Sequence, residues 1–359
     1  MLPMYFNGKF YAGGMNGVHR VSDRLIREVD ALLDRQPAET RPKVRLLLPR
    51  QRQFEPVLKA IEAVEQPDGH TQRWEQMTLP RVAADGLLVN LANLAPIRHR
   101  RKILLLHDAQ FLFPDSSYPW RQRLGYRLLT PRMARSSAAV LTVSDYSRQM
   151  LDLLGVAARD TSQVLYNGCD HIHEVTADSG IIGELGLDGV PYVLMFGSPK
   201  AYKNVAVVFA AFADRALAPL RLVIVGGNRE AHVRAGLTPP DDAIWAGGID
   251  DAKLRALYEH AHALAFPSRT EGFGLPPLEA MLCGCPSVVA PAGAIPEVCR
   301  DAALYADVDQ PASWRSAFRG LEDTGLRATK IVAGKARAQE FTWARAGQRL
   351  FELMLEHAA

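Results

Sequence analysis

Two successive series of short apolar runs, each alternating with helical periodicity, do most to restrict the fold of this chain. In the first series a strand-like Leu2–Phe6 segment is followed by Val44–Leu48, Leu87–Leu91, Ile103–Leu106, Ala138–Val143 and Val164–Tyr166. Between the first two lies a helical pattern at Val18, Val21, Leu25, Val29, Leu32 and Leu33, spaced three or four apart. Ser144 is placed to cap a helix running to Leu154. The pattern then restarts with strands at Tyr192–Phe196, Leu220–Val225 and Ala263–Phe266 and helices at Lys203–Arg215 and Asp250–His262. Strands that are apolar throughout, not alternately, are buried on both faces, and helices between them imply parallel pairing. The expected class is therefore α/β, with two Rossmann-like parallel-sheet domains. The Gly-, Asp- and Ser-containing stretch Asp170–Gly189 lacks periodicity and reads as the linker, so the domains are expected over 1–172 and 173–340. Open sheets of this kind bind ligands at the carboxyl ends of their strands, here across a cleft shared by the two domains.

A chain of 359 residues with 48% hydrophobic content can bury two cores. Its four cysteines show no metal-ligand spacing and read as core thiols of a reducing compartment. No basic segment and long apolar run mark a signal peptide at the start, and no stretch nears the roughly 20 apolar residues of a membrane span. The net charge of +3 is unevenly divided: residues 1–172 hold 24 Lys and Arg against 17 Asp and Glu (+7), leaving −4 for the rest. A basic first half suits an anionic partner. Its arginines are not gathered in a nucleic-acid module, so no nucleic acid is expected.

Several clusters carry chemistry. Glu271-Gly-Phe-Gly-Leu-Pro-Pro-Leu-Glu279 joins the strand Ala263–Phe266 to a helix, a place where backbone N–H groups suit an anion and flanking carboxylates suit hydroxyls. Together these describe a nucleotide-sugar. Gly13-Gly14-Met15-Asn16-Gly17 precedes the first helix and lets backbone approach a ligand, although it is neither a dinucleotide fingerprint nor a P-loop. His107-Asp108 ends the strand Ile103–Leu106, at the cleft edge. Lys203 at a helix start opposes the helix dipole, which points to pairing with a pyrophosphate, a task Lys200 could share.

Taken in order, these pieces resemble the retaining glycosyltransferases of family 4, with the GT-B fold. The resemblance spans nearly the whole chain and is carried by "PSRTEGFGLPPLEAMLCGCPSVV", "GGMNG", "HD", "TVSDYS", "VLYNGCD", "GSPKAYKN", "LVIVGG" and "FTWARA". It implies that Gly14, Gly17 and their loop approach the donor phosphates and sugar, that His107 contacts the donor sugar, that Lys203 binds the diphosphate, and that Ser198 is among the donor-binding residues. Glu271 would hold a sugar hydroxyl, the backbone of Gly272, Phe273, Gly274 and Leu275 would line the sugar–phosphate site, and Glu279 would accept from the ribose. His107, Lys203 and Glu271 are thus the expected catalytic set. The family's arginine after the glycine matched by Gly197 is Ser198 here, and the alternative arginine position is Tyr202, so Lys200 or Arg269 is left to complete the phosphate site. The last helix would return to the first domain, adding 341–359 to it.

The resemblance further implies front-face transfer with retention, in which Glu271 is not a nucleophile. No metal or other cofactor is expected; Asp307-Val-Asp309 reads as a loop with an N-cap aspartate, and the pairs His171/His173 and His260/His262 receive no role. GDP-mannose leads UDP-glucose and dTDP-rhamnose as donor, and the acceptor would be a glycan or lipid-linked sugar in polysaccharide synthesis at the inner face of the cytoplasmic membrane. Residues 119–135 carry Arg121, Arg123, Arg127, Arg132 and Arg135 among apolar residues, either as a peripheral membrane contact or as a core-packed helix with solvated arginines. The competing readings are a sugar-nucleotide epimerase or phosphorylase of the same architecture, and a non-catalytic two-lobed sugar- or nucleotide-binding protein.

Overall fold

The computed structural model describes residues 1–67, 71–113 and 119–359. The chain forms two compact units. The first contains the described residues up to Gly168 and ends with Trp343–Ala359; the second is Cys169–Thr342.

The first unit is built on a seven-stranded parallel sheet of β1 (Met4–Asn7), β2 (Val44–Pro49), β3 (Glu62–Gln66), β4 (Leu87–Asn90), β5 (Lys102–Leu106), β6 (Ala139–Thr142) and β7 (Ser162–Val164), in the order β3-β2-β1-β4-β5-β6-β7. Every residue of β5 is buried, and each fully buried Leu or Ile contributes about 1.5–3 kcal/mol. β3 was not legible in the sequence. It is an exposed edge strand with no apolar run, held in register on β2 by the Arg45–Glu62 pair at 2.6 Å. β7 lies two residues earlier than expected. The helix Gly17–Asp34 buries Val21, Leu25, Ile26, Val29 and Leu33. It packs against the final helix, Trp343–Ala358. The two approach so closely at Gly347 that a Cβ there would lie 2.2 Å from Glu28 Cβ.

The second unit has a six-stranded parallel sheet: β8 (Tyr192–Phe196), β9 (Arg221–Val225), β10 (Ile244–Gly247), β11 (Ala263–Phe266), β12 (Ser287–Val289) and β13 (Leu304–Tyr305), in the order β10-β9-β8-β11-β12-β13. The stretch read as a linker belongs to this unit. Ile181, Ile182 and Leu187 are buried, and the short helix Gly180–Glu184 packs on the helix Asp251–His260. The helix expected over Lys203–Arg215 is shorter, Val205–Phe212. Asn204 adopts the left-handed region (φ 51°, ψ 31°) and ends a separate 3₁₀ turn, Ala201–Lys203. Asn tolerates that conformation better than most residues.

In both sheets the strand order reverses direction between the unit's first and fourth strands. Such a switch point is where doubly wound sheets open a crevice for ligands, outside the strands' carboxyl ends.

Candidate functional site

In the second unit the switch point lies between β8 and β11, and the loops leaving these strands carry most of the expected residues. After β8 the chain runs Gly197-Ser198-Pro199-Lys200 into the turn that ends at Lys203. After β11 it runs Ser268-Arg269-Thr270-Glu271. The two loops are joined by the Arg269 N–H, which donates to Tyr202 O at 2.7 Å. Across the junction Lys203 Nζ meets Glu271 Oε1 at 2.6 Å, with the two side chains 27% and 15% exposed. The ammonium also lies over the rings of Tyr202 at 5.2 Å and Phe266 at 5.6 Å, a further favourable cation setting. Lys203 therefore reaches the carboxylate from a 3₁₀ turn and not from a helix start, so the dipole argument for it does not apply.

The helix Leu275–Leu282 follows Gly274, whose φ of 94° and ψ of 65° suit glycine. Pro276 and Pro277 have no N–H, so this helix start offers fewer backbone donors than an ordinary one. The Phe273 side chain is buried, edge-on to Phe341 at 5.6 Å.

Glu279 sits deeper than the sequence suggests. It is 6% exposed, with Oε2 accepting from Tyr258 Oη at 3.1 Å and Oε1 lying 3.1 Å from His171 Nε2. His171 is itself fully buried. The sequence assigns it no role; the structure makes it a neighbour of the second motif carboxylate, 108 positions away, a distance no local pattern could signal. Burial and the adjacent carboxylate together push the Tyr258 phenol well above its usual range, so it stays a donor.

The first unit gathers its own set. His107 follows β5 and is 6% exposed. Its Nε2 contacts Leu91 O at 2.8 Å, and its backbone N–H donates to Asn93 Oδ1 at 2.8 Å. A carbonyl partner requires Nε2 to carry the proton. Burial lowers the imidazole to about 4, so the ring is neutral near pH 7 and Nδ1 is an acceptor for a hydroxyl. The Gly13–Gly17 loop leads into the helix Gly17–Asp34, capped by Asn16 accepting from the His19 N–H at 3.1 Å. A Cβ on Gly14 would meet only Gln53 Oε1 at 3.8 Å, and one on Gly17 would meet nothing within 4 Å. The fold itself does not demand glycine at either position.

Comparison with known proteins decides the family. Residues 181–332 match the model of "Glycosyl transferases group 1". The chain is 30% identical over 271 residues to the O-antigen chain mannosyltransferase B of Escherichia coli, covering 69% of this chain and 68% of that protein. The chain belongs to the glycosyl transferases group 1 family. A D-inositol 3-phosphate glycosyltransferase of Salinispora arenicola is 36% identical over 194 residues, covering 49% of this chain and 43% of its own length. Among solved structures, Anabaena Alr3699/HepE in complex with UDP and glucose superposes with a TM-score of 0.72 at 19% identity, over 99% of both chains. Fold and family thus agree with the GT-B architecture of two Rossmann-like domains.

As a group 1 glycosyltransferase the chain departs from the sequence-based expectations in two further places. Asp309 does not cap the next helix. Gln310 occupies that position, and Asp309 pairs with Arg269, whose guanidinium holds the carboxyl below its usual range. Arg269, one of two cations expected to replace the arginine missing at Ser198, is thereby engaged elsewhere. The second departure concerns Trp120–Arg135. Trp120, Leu124, Leu128 and Leu129 are 68%, 50%, 49% and 41% exposed, and only Thr130, Met133 and Ala134 are buried. Only the end of this helix is core-packed, through Met133 and Ala134; its earlier apolar residues are not. No helix among the described residues is long and apolar enough to cross a membrane.

Proposed function

We propose that this group 1 glycosyltransferase moves a hexose, with retention and without a metal, from a nucleotide-sugar held on the second unit to a glycan or lipid-linked acceptor. The observation that carries this reading is the Lys203–Glu271 pair at the second switch point, beside the Gly272–Leu275 backbone. Lys203 neutralises the leaving diphosphate, the charge that develops in the transition state. Glu271 takes a sugar hydroxyl. Its engagement with a cation supports front-face transfer over attack by this carboxylate, with the departing phosphate accepting the acceptor's proton. Glu279, oriented by Tyr258 and His171, accepts from the ribose. From the first unit, Gly14 and Gly17 allow close backbone approach to the donor, and His107 accepts a sugar hydroxyl through Nδ1.

GDP-mannose is the favoured donor because the Escherichia coli relative and a 26%-identical one from Salmonella typhimurium are O-antigen chain mannosyltransferases. UDP-glucose and dTDP-rhamnose are the alternatives. Thermal unfolding with each nucleotide-sugar tests the donor. GDP-mannose should raise Tm most, since a ligand that binds only the folded state stabilises it, and Glu279→Gln should diminish the shift. If no nucleotide-sugar shifts Tm, the proposal is wrong.

The helix Trp120–Arg135 is proposed to rest on anionic lipid at the cytoplasmic membrane face. Its Trp120, Leu124, Leu128 and Leu129 are exposed, and it carries five arginines and no acidic residue. Flotation with phosphatidylglycerol vesicles should recover the protein and fail after Trp120→Ala/Leu124→Ala. Equal recovery of both proteins, or of neither, would remove the contact from the proposal.

A further inference from the structure

The Gly13–Gly17 loop needs an anchor. Residues 14–17 are exposed, and the fold does not demand glycine at 14 or 17. Glycine loses more conformational freedom on ordering than any other residue. A stretch written Gly-Gly-Met-Asn-Gly keeps one conformation only where something grips it. His19 does so from the first turn of the helix Gly17–Asp34. Its Nδ1 contacts Gly14 O at 2.8 Å. Its Nε2 lies 3.5 Å from Asn16 Nδ2, and its backbone N–H donates to Asn16 Oδ1 at 3.1 Å. The ring packs on Phe10 with centroids 5.7 Å apart, and a Cβ on Gly13 would lie 3.4 Å from His19 Cε1. The imidazole therefore meets the loop at Gly13, Gly14 and Asn16.

These contacts select one form of the ring. A carbonyl at Nδ1 requires the proton there, which leaves Nε2 as an acceptor. Asn16 Oδ1 is committed to the His19 N–H, so Nδ2 is the group that faces Nε2. Burial lowers the imidazole below its ordinary value, with the Gly14 carbonyl acting in the opposite sense. The ring is thus neutral near pH 7 and free to adopt this tautomer.

The grip on Gly14 O fixes the next group along the chain. The 14–15 peptide is trans, and in a planar trans peptide the C=O and N–H point opposite ways. With the Gly14 carbonyl turned onto His19, the Met15 N–H points away from that ring. This N–H has no acceptor among the described residues, and Met15 is 40% exposed. His107 lies near enough for a charge on His19 to be felt there, so the outward N–H and the His107 ring share one neighbourhood. We propose that His19 is a positioning residue for the nucleotide-sugar. By holding Gly14 O through Nδ1 it presents the Met15 N–H to the sugar-phosphate end of that substrate, and it touches no substrate itself. This role rests on the proposed placing of the Gly13–Gly17 loop on the nucleotide-sugar.

Isothermal titration of the full chain tests it. The probes are GDP-mannose, UDP-glucose and dTDP-rhamnose, with GMP, UMP and dTMP as matched ligands that lack the sugar-phosphate end. His19→Phe keeps a ring against Phe10 and loses both nitrogens. It should bind the preferred nucleotide-sugar about tenfold more weakly than the wild type, as expected when a hydrogen bond to a charged group is no longer held in place. It should bind the matching monophosphate as well as the wild type does. His19→Asn returns an N–H near the place of Nδ1 and should recover most of the nucleotide-sugar affinity. His19→Gln, whose amide reaches toward the place of Nε2 instead, should not. A part confined to capping the helix would weaken both kinds of ligand alike. Unchanged nucleotide-sugar affinity in His19→Phe, equal weakening of nucleotide-sugar and monophosphate, or no advantage of His19→Asn over His19→Gln would each overturn the role. If His19→Phe fails to fold, the comparison of the Asn and Gln variants still decides. A wild type that binds none of the three nucleotide-sugars would overturn the donor reading itself, whereas the other outcomes leave that reading standing.

Discussion

Lys203→Ala should lower kcat/KM for the nucleotide-sugar by about 10²–10³-fold, the usual loss when one preorganised group that stabilises developing charge is removed. Without ligand, Nζ is held on Glu271 at 2.6 Å. On the proposed reading a donor diphosphate would compete for the same ammonium, and as Lys203 turned to it Glu271 would become available to a sugar hydroxyl. The two side chains therefore change partners together, and their substitutions should not add. Glu271→Gln alone should also reduce kcat strongly. The Lys203→Ala/Glu271→Gln double variant should be little worse than the poorer single one, because Lys203→Ala already leaves a largely buried carboxylate without its cation. Steady-state kinetics with varied donor settle the matter. A Lys203→Ala enzyme with raised KM and intact kcat would mean that Lys203 binds donor and transition state equally, and its proposed role in departure of the diphosphate would be wrong.

How far the sequence reveals this arrangement depends on how local each signal is. Strands such as β5 and β11 are short apolar runs buried on both faces, and they declare themselves by composition. β3 carries Glu62 and Glu65 and is a strand only because β2 pairs with it. The glutamate motif is legible because its residues are contiguous and the turn that presents them is written in glycine and proline. What those carboxylates touch is not legible. Lys203 lies 68 positions from Glu271 and His171 lies 108 from Glu279, and only the crossover topology brings each pair together. The helix Trp120–Arg135 shows the converse limit. Apolar residues among arginines are compatible with a packed face or a bare one, and the choice is made by neighbours outside the segment. Its Met133 and Ala134 are buried while Trp120, Leu124, Leu128 and Leu129 stay exposed.

Gly293→Ala should be the most damaging single-methyl change in the second unit. Gly293 holds φ at 62°, in the left-handed region, and the next residue, Ala294, donates its N–H to Glu271 O at 3.0 Å. A Cβ at 293 would lie 2.5 Å from Glu271 N and 2.7 Å from Glu271 O. Both are backbone atoms, so no rotamer change can relieve the clash, and the Glu271 loop itself must move. Overpacking costs about 1–3 kcal/mol and the left-handed conformation about 1–2 kcal/mol more. At about 2–4 °C per kcal/mol for a unit of this size, Tm should fall by roughly 5–15 °C. Activity should fall further than stability explains, because displacing a catalytic group by about 1 Å can cost 10²-fold. Gly236→Ala is the matched control. Its φ is 79°, but a Cβ there meets nothing within 4 Å, so it carries the conformational strain without the clash. That variant should lose about 1–2 kcal/mol and keep the wild-type kcat. If Gly293→Ala proves no worse than Gly236→Ala in both stability and kcat, the 293 turn does not brace Glu271, and the position of that carboxylate is set by Lys203 alone.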